Sequence, residues 1–111
     1  MKMWRCTVCG LIVEAETPPD VCPRCGAPRE RFAELTEDQV TVVRRSRATN
    51  QLHVDLLTRI QQIEAIADAG IEDNLDPGCL GVFRKAKEMA SLVRQFGKAE
   101  IQVHVNKGKW G

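Results

Sequence analysis

The sequence predicts a small metal-bound knuckle domain, then an α-helical hairpin, then a short C-terminal strand. Three observations carry that prediction. Two Cys-x-x-Cys-Gly turns, "CTVCG" and "CPRCG", lie within the first 26 residues. Residues 36–98 hold apolar residues at helical spacing, interrupted once by "EDNLDPG". Beyond Gly97, Ile101, Val103 and Val105 alternate with Gln102, His104 and Asn106, which is strand periodicity. The expected segments are therefore 1–35, 36–98 and 99–111.

Composition narrows the function classes. A chain of 111 residues is one ordinary domain, or a small domain with an appendage. Sixteen basic against fifteen acidic residues leave a net charge of +1, so no strong field points to nucleic acid or an anionic membrane. Nucleic acid is further disfavoured because no basic patch has interleaved aromatics. No apolar run approaches the ~20 residues of a membrane span. The first cysteine stands at position 6, which leaves no room for a secretory leader, so a cytoplasmic protein is expected. In a reducing cytosol, paired Cys-x-x-Cys elements are metal ligands rather than disulfides.

Residues 1–35 contain four of the five cysteines and four of the five prolines. Cys6, Cys9, Cys22 and Cys25 form two short knuckles that offer a tetrahedral all-sulfur site, the geometry of zinc or of cysteine-held iron. Gly10 and Gly26 follow each knuckle, where a backbone turning its N–H groups toward sulfur needs positive φ. Pro23 stiffens the second turn. So few apolar residues cannot fold on a hydrophobic core alone, and metal binding supplies folding energy. The spacing by itself leaves iron and zinc open.

The helical segment opens with a capping box, Thr36 and Gln39, over an acidic first turn of Glu37 and Asp38. A stripe follows at Leu52, Leu56, Ile60, Ile63 and Ala67, with Gly70 as its stop signal. Asp76 and Pro77 read as cap and first position of a second helix. Its stripe is Val82, Phe83, Ala86, Met89, Ala90, Val93 and Phe96, ending at Gly97. If continuous from Glu37 to Ala69, the first helix spans about 50 Å against about 30 Å for the second. The polar "RRSRATNQ" stretch is where it would overhang, bend or break, its arginines forming a solvated face or attracting an acidic partner. Projecting the stripe backwards places His53 and Ser46 on the packing line, beside Thr49 and Val42. There His53 is a hydrogen-bonded or edge histidine, a buried polar layer or a metal ligand. Cys79 falls in the first turn of the second helix, where the dipole lowers a thiol pKa. It reads as a small buried residue, with reactive or dimer-bridging roles as the alternatives. One hairpin leaves a broad apolar face uncovered, and two would close a four-helix bundle, so a homodimer is expected.

The segment "MKMWRCTVCGLIVEAETPPDVCPRCGAPRERFAEL" resembles the rubredoxin-like domain of rubrerythrins, including the reversed members in which that part comes first. The resemblance rests on Trp4, the twelve residues between knuckles, the Pro-Pro pair, "CPRCGAP" and Phe32 as a closing aromatic. It implies a rubredoxin-like β knuckle fold and one iron per chain, ferrous or ferric, on Cys6, Cys9, Cys22 and Cys25. It also implies single-electron exchange with a redox partner, with Trp4 and Phe32 supporting the site. Leu11 departs from the family's usual aromatic. Zinc accepts the same geometry, especially in recombinant protein, so the alternative is a structural zinc ribbon on a helical interaction module. Rubrerythrins also carry a four-helix bundle with di-iron carboxylates and Glu-x-x-His motifs. Here Asn50 precedes His53 and Ile101 precedes His104 by three positions, so no such motif exists. Glu64 and Glu88 sit among polar positions and read as solvated. An electron carrier is therefore expected rather than a peroxide-reducing enzyme.

Overall fold

The computed structural model describes all 111 residues, which divide into two compact units. One comprises Met1–Arg47 with Lys107–Gly111, the other Ala48–Asn106.

In the first unit, β1 (Lys2–Cys6) is central to a three-stranded antiparallel sheet, flanked by β2 (Ile12–Ala15) and β3 (Phe32–Glu34). Trp4 lies opposite Val13 on one side and Glu34 on the other, and Cys6 opposite Phe32. The Trp4 indole N–H donates to the Ala15 carbonyl at 3.0 Å, which fixes the ring without leaving its polar atom unpaired. A 3-10 turn at Arg29–Arg31 leads into β3. Strands this short bury little, and the core cluster is correspondingly small: Cys6, Cys22, Ala27 and Phe32, with Trp4, Leu11 and Val13 packed against it. Two of those four core residues are cysteines of the knuckles. Met3 and Val43 are also fully buried. Arg47 pairs with Glu14 at 2.8 Å and donates through Nε to the Gly111 carbonyl at 3.0 Å. That engagement answers one of the three arginines of "RRSRATNQ"; Arg44 and Arg45 are exposed.

The helices are α1 (Glu37–Asp73) and α2 (Pro77–Asn106). The capping box forms as expected: the Gln39 amide N–H donates to Thr36 Oγ1 at 3.2 Å, and the Thr36 N–H to Gln39 Oε1 at 2.8 Å. Asp76 caps α2 by accepting from the Cys79 N–H at 2.7 Å. Helix α1 is continuous through "RRSRATNQ", so of the overhang, bend or break expected there the break does not occur. Its 37 residues span about 55 Å, and the 30 residues of α2 about 45 Å.

Three expectations are corrected. Gly70 does not stop α1, which runs on to Asp73; the chain turns at Asn74, whose φ of 46° supplies the left-handed residue. Gly97 does not stop α2 and is buried in mid-helix. The C-terminal strand is absent, because Ile101–Asn106 completes α2. Both glycines serve helix packing. A Cβ at Gly70 would enter the Phe83 ring, and one at Gly97 would stand 3.4 Å from a Leu57 methyl. With Gly97 helical, the alternation after it resolves differently: His104 is buried and Ile101 half-buried, while Val103 and Val105 face outward.

The hairpin is antiparallel, with Leu57 meeting Gly97, Glu64 meeting Ser91 and Arg94, and Asp68 pairing with Lys87. The stripes are broader than the seam they were read as. Ile60, Ala67 and Ala90 are buried, but Leu52, Leu56, Ile63, Val82, Met89, Val93 and Phe96 are exposed. Likewise Val43 and Asn50 are buried, in place of Val42 and Thr49. No helix is long and apolar enough to cross a membrane.

Candidate metal centre

The two knuckles have the same local geometry. In the first, the Cys6 N–H donates to the Leu11 carbonyl at 2.8 Å and the Gly10 N–H to the Cys6 carbonyl at 2.8 Å. In the second, the Cys22 N–H donates to the Ala27 carbonyl at 2.8 Å and the Gly26 N–H to the Cys22 carbonyl at 2.9 Å. Each turn closes through a glycine in the left-handed region, Gly10 at φ 84° and Gly26 at φ 79°. With the carbonyls so engaged, the intervening N–H groups are free to point inward. Those of Val8 and Cys9 reach the Cys6 sulfur, those of Arg24 and Cys25 reach Cys22, and that of Ala27 reaches Cys25. Pro23 lies exposed in the second turn and has no N–H to contribute.

The four sulfurs lie within 4.8 Å of one another, Cys6 to Cys25 at 3.6 Å and Cys9 to Cys22 at 3.7 Å. A tetrahedron with metal–sulfur bonds of ~2.3 Å has edges of about 3.8 Å, so the donors already stand where a four-coordinate ion requires them. Cys6 and Cys22 are buried, Cys9 is half-buried and Cys25 is exposed.

Their electrostatics fit a cation. The Cys9 backbone N–H, seconded by that of Val8, holds the Cys6 thiol below its usual value despite burial. Burial resists ionisation of Cys22, yet the N–H groups of Cys25 and Arg24 outweigh it and bring that thiol to about 6. At Cys25 the Ala27 N–H favours the thiolate, but desolvation and the three neighbouring sulfurs push it up to about 12. Four thiolates at this spacing repel one another, so the protons leave together only when a multivalent cation takes their place.

Residues 4–33 match the family model described as rubrerythrin, rubredoxin-like domain. Reverse rubrerythrin-1 of Clostridium acetobutylicum is 42% identical over 38 residues, covering 34% of this chain and 21% of that protein. Rubrerythrin-1 of the same organism is 45% identical over 38 residues, covering 34% of this chain and 20% of that protein. The chain thus spans about a fifth of the length of the curated relatives it matches. No solved structure matches. The N-terminal segment is a rubredoxin-like knuckle with a four-cysteine site, and the two long helices follow it.

Around the sulfurs of this rubredoxin-like unit, Phe32 is buried in the core cluster and Trp4 packs against it. Leu11, the one departure noted from the resembled pattern, packs against the same cluster. The remaining residues singled out from the sequence lie elsewhere. Cys79 is half-buried in the first turn of α2. Glu88 is exposed and pairs with Lys85. Glu64 is not solvated as expected: its side chain is 20% exposed, lies 3.1 Å from Arg94 Nε, and accepts from Ser91 Oγ at 3.3 Å.

His53 meets His104 edge to face, ring centres 5.7 Å apart. His104 Nδ1–H donates to Asn50 Oδ1 at 2.6 Å, and Nε2 stands 3.5 Å from a Glu100 oxygen. His104 and Asn50 were missed because the tail was read as a strand. The signal was present, since residues 97, 101 and 104 continue the helical stripe beyond Gly97.

Proposed function

We propose that this protein is an electron-transfer protein in which Cys6, Cys9, Cys22 and Cys25 hold one iron and exchange single electrons with a separate redox partner. The observation that supports it is the set of four sulfurs within 4.8 Å, pre-positioned by backbone hydrogen bonds on a rubrerythrin-type knuckle. Iron bound there would supply a one-electron ferrous–ferric couple. The chain's part is to keep the sulfurs still. Two glycine-closed turns and the sheet anchor all four, so donor positions need not change with oxidation state. Buried Cys6 and Cys22 keep water off one side of the site, and exposed Cys25 gives a partner a short route to the sulfurs. N–H groups aimed at sulfur favour the more negatively charged, reduced site and raise its potential. Trp4 and Phe32 wall the interior side. The function requires its thiols reduced before metal loading, which fits a cytoplasmic location.

The test is metal analysis and absorption spectroscopy of protein taken from its own cells. One iron per chain, with a red ferric-thiolate spectrum that bleaches on reduction, is the expected result. Colourless protein with stoichiometric zinc overturns the iron reading and leaves a structural zinc ribbon on a helical interaction module.

A further inference from the structure

The Ala48–Asn106 hairpin leaves a second apolar seam in water. On α2, Val82, Met89, Phe96 and Val103 recur every seven residues, with Leu92 and Val93 beside them. On α1, Leu52, Leu56, Ile63 and Ile66 fall at heptad spacing. Val82 and Leu52 are each 66% exposed, Phe96 63% and Met89 59%. These ten side chains together expose on the order of 900 Å², against the ~800 Å² per partner of a stable, specific interface. A scattered surface leucine needs no explanation; a seam running from Leu52 to Ile66 on α1 and from Val82 to Val103 on α2 does.

Charge says what covers it. The α1 portion from Ala48 to Asp73 carries five acidic residues, Asp55, Glu64, Asp68, Glu72 and Asp73, against the single Arg59. Helix α2 carries five cations, Arg84, Lys85, Lys87, Arg94 and Lys98, against Glu88 and Glu100. Within the hairpin this opposition is already used, in the Lys87–Asp68 and Arg94–Glu64 pairs. An acidic α1 repels an anionic lipid surface, and two basic α2 helices side by side repel each other. A second hairpin with the same seam and the same charge division meets both demands when its α2 lies along the first hairpin's α1.

We propose that two copies of this chain pair through these seams as a two-fold four-helix bundle, with α1 of each protomer packed beside α2 of the other. Helices then alternate acidic and basic around the bundle, and the like-charged helices occupy the diagonals. The contact is isologous and closes on itself, so it stops at two.

Sedimentation equilibrium of the full metal-loaded chain at tens of micromolar tests the first half, with twice the 12.4 kDa chain mass expected. A monomer would mean that a different protein covers the seam, and it overturns the proposal. Zero-length carbodiimide cross-linking of mixed ¹⁴N and ¹⁵N chains tests the second. Hybrid-mass links between α1 carboxylates and α2 lysines are expected; intermolecular links confined to Met1–Arg47 overturn the pairing. The double variant M89E/F96E should weaken the dimer by roughly a hundredfold while the cysteine–metal absorption is unchanged. An unweakened dimer of that variant, with its helicity intact, equally overturns it. The two wild-type measurements decide the matter if the variant does not fold.

Discussion

Gly26 and Asp76 illustrate how much a single position decides here, and each does so through a backbone N–H. At Gly26, φ is 79° and nothing lies within 4 Å of where a Cβ would stand, so the constraint is conformational and not steric crowding. Gly26→Ala should therefore cost about 1–2 kcal/mol through its left-handed backbone alone. Metal affinity measured against a chromophoric chelator should fall about tenfold. The control is Gly81→Ala, at a glycine near the start of α2 with open space around it, which should leave metal affinity unchanged. Asp76 is held below the ordinary carboxyl value by the Cys79 N–H, because the cap bonds the carboxylate more strongly than the acid. A depressed folded-state pKa adds stability that is fully present above the unfolded value and disappears as pH falls through the folded one. Melting temperatures of wild type and Asp76→Asn should differ by a constant few degrees above about pH 5 and converge toward pH 2, since Asn caps without titrating. A gap that persists to pH 2 contradicts the charged cap.

At the scale of elements, the informative residues are the two glycines that fail to end helices. A glycine after a helical stripe is a stop signal only if the chain is free to turn left-handed there. At Gly70 the neighbouring helix places Phe83 where a side chain would go, and at Gly97 it places Leu57. Sequence pattern cannot tell these roles apart, because both are written as a glycine at the end of an apolar run. The energetics can. Gly70→Ala gains up to ~1 kcal/mol of helix propensity but overpacks a fixed ring, at a cost of about 1–3 kcal/mol, so destabilisation wins. Urea denaturation should show that loss, and Phe83→Leu in the same chain should recover part of it; an additive double mutant contradicts the contact. The tail misreading follows from the same ambiguity. Three apolar residues at alternate positions fit a strand, yet once Gly97 is helical, Ile101 and His104 simply extend the packed face. Placing His104 in a strand also hid its bond to Asn50, 54 positions away.

For the whole molecule, the two units rest on different physics. The first has a four-residue core cluster, half of it cysteine, so an ion held by the four sulfurs would be a main source of its stability. The second holds α1 from Ala48 onward and α2, joined by a capped turn, with ion pairs and a shared apolar seam between them. Stripping the metal with a chelator under reducing conditions should alter Trp4 fluorescence and leave most of the helical ellipticity at 222 nm. Equal loss of both signals contradicts a metal dependence confined to the knuckles. The sequence by itself determined the four-cysteine cluster, the glycines that close its turns, both helix caps and the existence of a hairpin. Each of these is local, set by residues within a few positions of one another. Tertiary structure alone decided where the helices end, that Glu64 and His104 are drawn inward, and which apolar residues are left in water. Those outcomes depend on what the opposite helix places against each residue, and that contact lies between 13 positions away, as for Gly70 and Phe83, and 54, as for Asn50 and His104.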